Sequence, residues 1–190
     1  TNTRAVRKIG DSSIKFDGTD DYLTVPSSSD FGFGSGNWTI ELWFNRTASD
    51  TYPYIFDCRT GGVNGSFPAV YFNSTDSYKP VYYVDGAAKI TSSTTTTTDT
   101  WYHIAIVRSS STTTMYLDGL SVGTFSDSYT YAACPITIGD YSTVGTYEWT
   151  GYMDEIRVSD SARYTTAFAP VPTTAFTADA NTKLLIHSNW

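Results

Sequence analysis

The chain has 190 residues, a formal net charge of −7 and a sequence pI of about 4.6. An acidic surface without a Lys/Arg cluster repels phosphate backbones, which argues against a nucleic-acid partner. No apolar run reaches membrane-spanning length, and two cysteines exclude a disulfide scaffold and a cysteine zinc site.

Aromatics make up 16% of the residues, Thr is abundant (Thr94–Thr98 is a run of five), and Asp far outnumbers Glu. Aromatic and β-branched side chains suit a pleated strand, and Asp closes turns where Glu builds helices, so the composition predicts an all-β domain. Short alternating runs, each closed by a turn signal, follow one another along the chain. Ser13–Phe16 leads into Asp17-Gly18, and Tyr22–Val25 is expected to stop at Pro26. Trp38–Phe44 is the strongest strand, with Trp38, Ile40, Leu42 and Phe44 on one face and Thr39, Glu41 and Trp43 on the other. Tyr54–Cys58, Val70–Asn73, Val81–Val84 and Lys89–Ser92 follow, the last two joined by the hairpin pair Asp85-Gly86. Tyr102–Arg108, Thr113–Leu117, Ser121–Phe125, Ile136–Ile138 and Tyr152–Val158 complete the set, with Asp118-Gly119 as a second tight turn. Around Pro170 and Pro172 the chain turns irregular before Lys183–Ile186 resumes as an apolar strand. Roughly a dozen strands at this spacing predict two packed antiparallel sheets in one domain spanning 1–190. A first residue of Thr, with no signal-peptide pattern after it, is expected of a processed product or a segment of a longer chain.

Three segments, in order, carry a family likeness. They are Ser13-Ile-Lys-Phe-Asp-Gly-Thr-Asp-Asp-Tyr-Leu-Thr-Val-Pro26 with Phe33–Phe44, then Trp101-Tyr-His-Ile-Ala-Ile-Val-Arg108 with Met115-Tyr-Leu-Asp-Gly119, then Ile138-Gly139 with Gly151-Tyr-Met-Asp-Glu-Ile-Arg-Val158. Together they resemble the laminin-G-like branch of the concanavalin A-like lectin/glucanase superfamily, which implies a two-sheet antiparallel jelly-roll sandwich. Ala162-Arg-Tyr-Thr165 and Thr182-Lys-Leu-Leu-Ile-His187 are similar to versions found in structural proteins of tailed bacteriophages. Such modules often occur in series, so 183–190 is read either as the start of a following repeat or as a strand completing the sheet.

Alternation within Tyr152–Val158 puts Asp154 on the face of Ile156 and Val158, and a buried carboxylate needs a partner or a metal. The resemblance implies a structural Ca²⁺ near such an Asp, with Asp17, Asp20 and Asp21 as further oxygen donors. The alternative is an Asp154 bonded to turn amides, with Asp17 making its Asp-Gly turn. Asp140, Tyr141, Tyr147, Glu148 and Trp149 combine rings that stack on sugar faces with carboxylates that bind hydroxyls, the mixture a glycan site needs. Tyr52, Tyr54, Tyr82 and Tyr83 extend this candidate surface, although the same rings also suit a sandwich core or a subunit interface. Asp57 and Arg59 read as ligand contacts at a loop rim or as an ordinary surface pair. Cys58 and Cys134 read either as two buried thiols or as one bridge.

Catalysis is disfavoured. Glu41, Glu148 and Glu155 stand isolated in the sequence, no Glu-x-Asp-x-x-Glu pattern occurs, and His103 and His187 lack a catalytic partner. Asn-x-Ser/Thr at Asn37, Asn45, Asn64 and Asn73 is the chance outcome of a Ser/Thr-rich chain. The expected function is a non-catalytic module on a virion surface, fibre or capsid, that recognises a host-surface polysaccharide or partner subunits, including copies of itself. The alternative is a carbohydrate-binding module of a secreted bacterial protein, and a glucanase-type enzyme stands third. Either leading reading places the chain outside the cell.

Overall fold

The computed structural model describes every residue except Val144, Pro172, Asn189 and Trp190; the expectations that touch Pro172 and the last two residues therefore lie outside the described residues. The described residues form fourteen strands: β1 (Asn2–Thr3), β2 (Ser13–Asp17), β3 (Leu23–Ser28), β4 (Trp38–Arg46), β5 (Tyr54–Asp57), β6 (Ala69–Asn73), β7 (Lys79–Val84), β8 (Ala87–Thr91), β9 (Trp101–Ser109), β10 (Thr112–Leu117), β11 (Leu120–Ser126), β12 (Cys134–Ile138), β13 (Thr150–Ser159) and β14 (Thr182–Ile186). One sheet has eight strands in the order β1-β2-β13-β4-β9-β10-β11, with β14 also paired to β13; the other has six, ordered β3-β12-β5-β6-β7-β8. All pairings are antiparallel. A 3-10 turn at Ser29–Phe31 is the only helix among the described residues. This is the all-β, jelly-roll-type sandwich the sequence predicts.

Local chemistry accounts for most of the strand ends. Asp85 and Gly86, with φ of 52° and 74°, and Asp118 and Gly119, with 48° and 79°, form the two expected hairpins, since such a turn needs positive φ at both central residues. Pro26 does not stop its strand. β3 lies at a sheet edge and bulges against β12 between Val25 and Ser28, and a missing N–H costs little there. The core between the sheets includes Trp38, Ile40, Leu42 and Phe44 of β4, facing Phe56, Val70, Phe72 and Tyr82. Cys58 and Cys134 are both buried and unbridged, and burial beside Cys134 pushes the Cys58 thiol well above its usual range.

The central strands of the eight-stranded sheet, β4, β9 and β13, are buried on both faces over most of their length. All nine residues of β4 are buried, including Thr39, Glu41, Trp43 and Asn45, which the simple alternation would leave facing water. The stretch that follows β13, irregular in the sequence, lies across this outer face as a roof: Tyr164 and Phe168 pack on Ala105, Val107 and Tyr116, while Val171 and Phe168 meet Trp43, Trp101 and Ile9. Glu41 and His103 are not isolated as the spacing implied. Sheet pairing brings His103 Nε2 to 3.2 Å from Glu41 Oε2, Arg157 Nη2 to 2.7 Å from Oε1, and the Tyr164 hydroxyl donates to Oε2 at 2.8 Å. Burial alone pushes the Glu41 carboxyl up, but the His103 ring, the Arg157 charge and the Tyr164 hydroxyl together hold it below the ordinary range.

β13 carries one extra residue relative to β4 between Asp154 and Arg157, where Glu155 takes a φ of 50°. This bulge switches the alternation. Asp154 therefore pairs opposite Trp43 on the roofed face, whereas Ile156 and Val158 enter the core. The expectation that Asp154 shares their face is corrected by that single inserted residue. The Asp154 carboxylate accepts from Ile9 N at 2.9 Å, Lys8 N at 3.3 Å, Glu155 N at 3.0 Å and Ser188 Oγ at 3.0 Å. Glu155 in turn accepts from Phe176 N at 2.5 Å and has His187 Nδ1 at 2.7 Å. The two carboxylates tie the first residues, the roof and the last strand to one kink.

Removing these acceptors orphans buried donors, so Asp154→Ala should lower stability by about 1–3 kcal/mol, read as a fall in melting temperature. Glu41→Gln leaves Arg157 buried opposite an uncharged amide and should cost about 3 kcal/mol at pH 7. Because the folded Glu41 pKa is depressed, its contribution is complete above the unfolded value of about 4.3 and disappears as pH falls through the lower folded value. The gap between wild type and Glu41→Gln in thermal melts should accordingly narrow below about pH 4.

Candidate functional site

The outer face of the six-stranded sheet carries no roof, and its register fills it with tyrosines. On β6 and β7 the alternation sends Val70, Phe72, Tyr82 and Val84 into the core and leaves Tyr71 and Tyr83 outside. A bulge between Tyr54 and Phe56 lets β5 turn Ile55 and Phe56 inward while Tyr54 pairs opposite Tyr71 and Asp57 opposite Ala69. Tyr54 and Tyr71 stack with centroids 5.0 Å apart and planes at 25°. Tyr141 and Tyr147 stand 5.2 and 6.0 Å from Tyr54, and Tyr52 and Tyr83 lie 6.2 and 6.3 Å from Tyr71. Six rings thus form one continuous aromatic surface, with Tyr54 most buried and its hydroxyl pushed up to about 12 by that burial.

A buried ion pair supports the platform. Arg59 Nε and Nη2 donate to Asp57 Oδ1 and Oδ2 at 2.9 and 2.8 Å, and both side chains are almost completely buried. The guanidinium lies 4.9 Å from the Tyr83 ring centre, 4.7 Å from that of Tyr141 and 5.3 Å from that of Tyr54. Neither the loop-rim ligand contact nor the surface pair describes it, because the rings cover it. Asp57 Oδ2 also accepts from Ser142 N, anchoring the loop that brings in Tyr141 and Tyr147. Asp140, fully buried, shapes the same loop by accepting from the backbone N–H groups of Tyr141, Gly145 and Tyr147.

Beside the platform is a polar cleft of about 340 Å³ lined by Gly18, Asp50, Thr51, Thr146, Tyr147 and Glu148. Tyr147 belongs to both. Asp50 Oδ2 is buried there without a hydrogen-bond partner among the described residues.

The structure thus brings Tyr52, Tyr54, Tyr83, Tyr141 and Tyr147 together, with Glu148 at the adjoining cleft. Trp149 is not part of that surface; it is wholly buried between Phe44 and Phe72, at 5.8 and 5.2 Å. Tyr82 likewise faces the core, its hydroxyl 2.9 Å from that of Tyr131. Asp140 contributes loop geometry instead of a ligand contact. Tyr71, Asn64 and Asp50 were not singled out as site residues from sequence. Tyr71 alternates with core residues on a predicted strand, a signal that was available, whereas Asn64, which accepts from the Tyr83 hydroxyl at 3.1 Å, and Asp50 lie in loops whose placement no local pattern fixes.

The proposed calcium donors do not fit a calcium ion. Asp154 already accepts four hydrogen bonds, and Asp17 pairs opposite Thr150, four residues along β13 and so roughly 13 Å away at the rise of a strand. Asp17 Oδ1 accepts from the backbone of Thr19 and Asp20, and Asp20 is exposed. Ca²⁺ needs roughly six to eight converging oxygens, and among the described residues no three His, Cys, Asp or Glu converge to hold a metal. No helix among the described residues is long and apolar enough to cross a membrane.

Comparison with curated protein sequences finds no match. Among solved structures, the chain is similar to the CBM40 module of the Ruminococcus gnavus IT-sialidase bound to α2,3-sialyllactose, with a TM-score of 0.65 at 8% identity over 80% of this chain and 91% of that one. It is similar to domain 4 of an extracellular arabinanase from Geobacillus stearothermophilus in complex with arabinotriose, with a TM-score of 0.59 at 18% identity over 85% and 76%. A heptameric SAP-like pentraxin from Limulus polyphemus gives 0.58 at 21% identity over 80% and 77%. At these identities the likeness is one of fold. The family model of laminin-G type, described as the concanavalin A-like lectin/glucanases superfamily, matches residues 17–167, a span that includes most of both sheets, and the chain belongs to that superfamily.

Proposed function

We propose that this domain is a non-catalytic binding module that takes glycans on the tyrosine face of its six-stranded sheet. The observation that carries the reading is the platform of five partly exposed tyrosine rings around the buried Tyr54, with a polar cleft at its edge. The C–H faces of a sugar pack on such rings, while hydroxyls and carboxylates at the rim fix orientation. The carbohydrate-bound arabinanase domain and sialidase module, built on the same fold, support the reading. Two of the three glutamates support a non-catalytic role, since Glu41 and Glu155 are buried beneath the roof with their own partners.

The module's setting is a virion surface, fibre or capsid, outside the host cell. The phage-like wording of Ala162–Thr165 and Thr182–His187 supports this, and weak binding per copy suffices when a particle displays many. The heptameric pentraxin neighbour favours testing for self-association on the same fold. The second reading, a carbohydrate-binding module of a secreted bacterial protein, draws on the arabinanase and sialidase neighbours.

Losing one stacked ring removes about 0.5–1.5 kcal/mol, so Tyr71→Ala and Tyr147→Ala should each weaken polysaccharide binding roughly two- to tenfold in affinity electrophoresis. Both residues are partly exposed, and their melting temperatures should stay near wild type. The purified domain should release no reducing sugar. Release that Glu148→Gln abolishes would make it an enzyme.

A further inference from the structure

We propose that the platform and its cleft select neutral, hydroxyl-rich sugars and reject carboxylated ones, with Asp50 as the hydroxyl acceptor. This deepens the glycan-binding reading above and rests on it. A site that binds sialic or uronic acids needs an uncommitted cation or donor set facing the ligand. Arg59 lies beneath the rings, 4% exposed, with Nε and Nη2 on Asp57. Lys79, on the same sheet face two residues from Val81, pairs with Asp76 at 3.0 Å. Arg46, 3% exposed, gives Nη1 and Nη2 to the carbonyls of Ala48 and Thr96 and lies 3.7 Å over the Tyr78 ring, which leaves a buried Nε as its unpartnered nitrogen among the described residues.

The cleft itself presents acceptors. Asp50 Oδ2 is buried beside Glu148 and lacks a donor among the described residues. A buried acceptor left unpaired is costly, and a sugar hydroxyl supplies the missing donor. A ligand carboxylate supplies none and adds like charge to Asp50 and Glu148, on a chain whose net charge is already −7. The Tyr147 ring that closes one wall of the cleft continues into the platform, so one oligosaccharide can place a ring face on Tyr147 and a hydroxyl on Asp50.

The test uses the 190-residue chain against matched pairs that differ in a carboxylate: lactose and 3′-sialyllactose by calorimetry, and hydroxyethyl- and carboxymethylcellulose or esterified and de-esterified homogalacturonan by affinity electrophoresis. In every pair that binds, the neutral member should bind at least about tenfold more tightly. Asp50→Asn, which replaces an acceptor oxygen by a donor amide in one orientation and removes the charge, should weaken the neutral member roughly three- to tenfold without changing the melting temperature. A carboxylated member that binds as well as its neutral partner overturns the neutral-sugar assignment and leaves the platform reading standing. Unchanged affinity in Asp50→Asn overturns the role of Asp50. Binding to no member of any pair overturns both the inference and the reading beneath it.

Discussion

Two adjacent carboxylates at one kink of β13 hold this sandwich closed. The extra residue at Asp154–Glu155 bends the longest strand and turns both acids toward segments that have no ladder of their own. Asp154 takes the backbone of Lys8 and Ile9 and the hydroxyl of Ser188; Glu155 takes the backbone of Phe176 and the His187 ring. Burial pushes the Asp154 carboxyl up, and the donors of Ile9, Ser188 and Lys8 oppose that push. On either side of the kink β13 changes neighbour, pairing β2 through Thr150–Met153 and β14 through Ile156–Ser159. The two ends of the described chain thus meet on one strand, and each depends on the same bulge.

That arrangement decides which face is free to bind. Residues 160–171 and 173–181 cross the outer face of the eight-stranded sheet, cover Glu41, His103 and Trp43, and turn a face that would otherwise meet water into a second, smaller core. The His103–Glu41 contact is buried beneath Tyr164 and Phe168. Among the described residues the six-stranded sheet has no such cover, and Tyr52, Tyr71, Tyr83, Tyr141 and Tyr147 on that side stay partly exposed. The ion pair under them is a means of setting ring positions. Arg59, held through two nitrogens by Asp57, gives the rings of Tyr54, Tyr83 and Tyr141 a fixed cation to pack against, and Asp57 fixes the loop that supplies Tyr141 and Tyr147.

The strands were legible because their signals are local. Trp38–Phe44 alternates cleanly, Asp85-Gly86 and Asp118-Gly119 name their own turns, and each lies where the structure has it. Tyr141 and Tyr147 were legible as surface aromatics because they sit in a Gly- and Ser-containing loop. Trp149, two residues further on, was not distinguishable from them by type. Its burial follows from the position of Phe44 and Phe72, 105 and 77 residues away in sequence. Asp57 and Arg59 were visible as a pair, but a pair two residues apart at a strand end gives no sign of being covered.

The sequence by itself determined the all-β class, the two-sheet packing, the turn positions and the acidic, helix-poor character, because periodicity, turn chemistry and composition act over a few residues. Tertiary structure alone decided face and partner. One inserted residue in β13 moved Asp154 to the opposite side from Ile156, and one in β5 put Tyr54 and Asp57 on the same outer face. A bulge reverses the parity of everything beyond it, and whether a strand carries one depends on its neighbours across the sheet. The roof is of the same kind: an irregular stretch bears no periodic signal, and only the apolar rings it meets across the fold decide that it covers one sheet and leaves the other open.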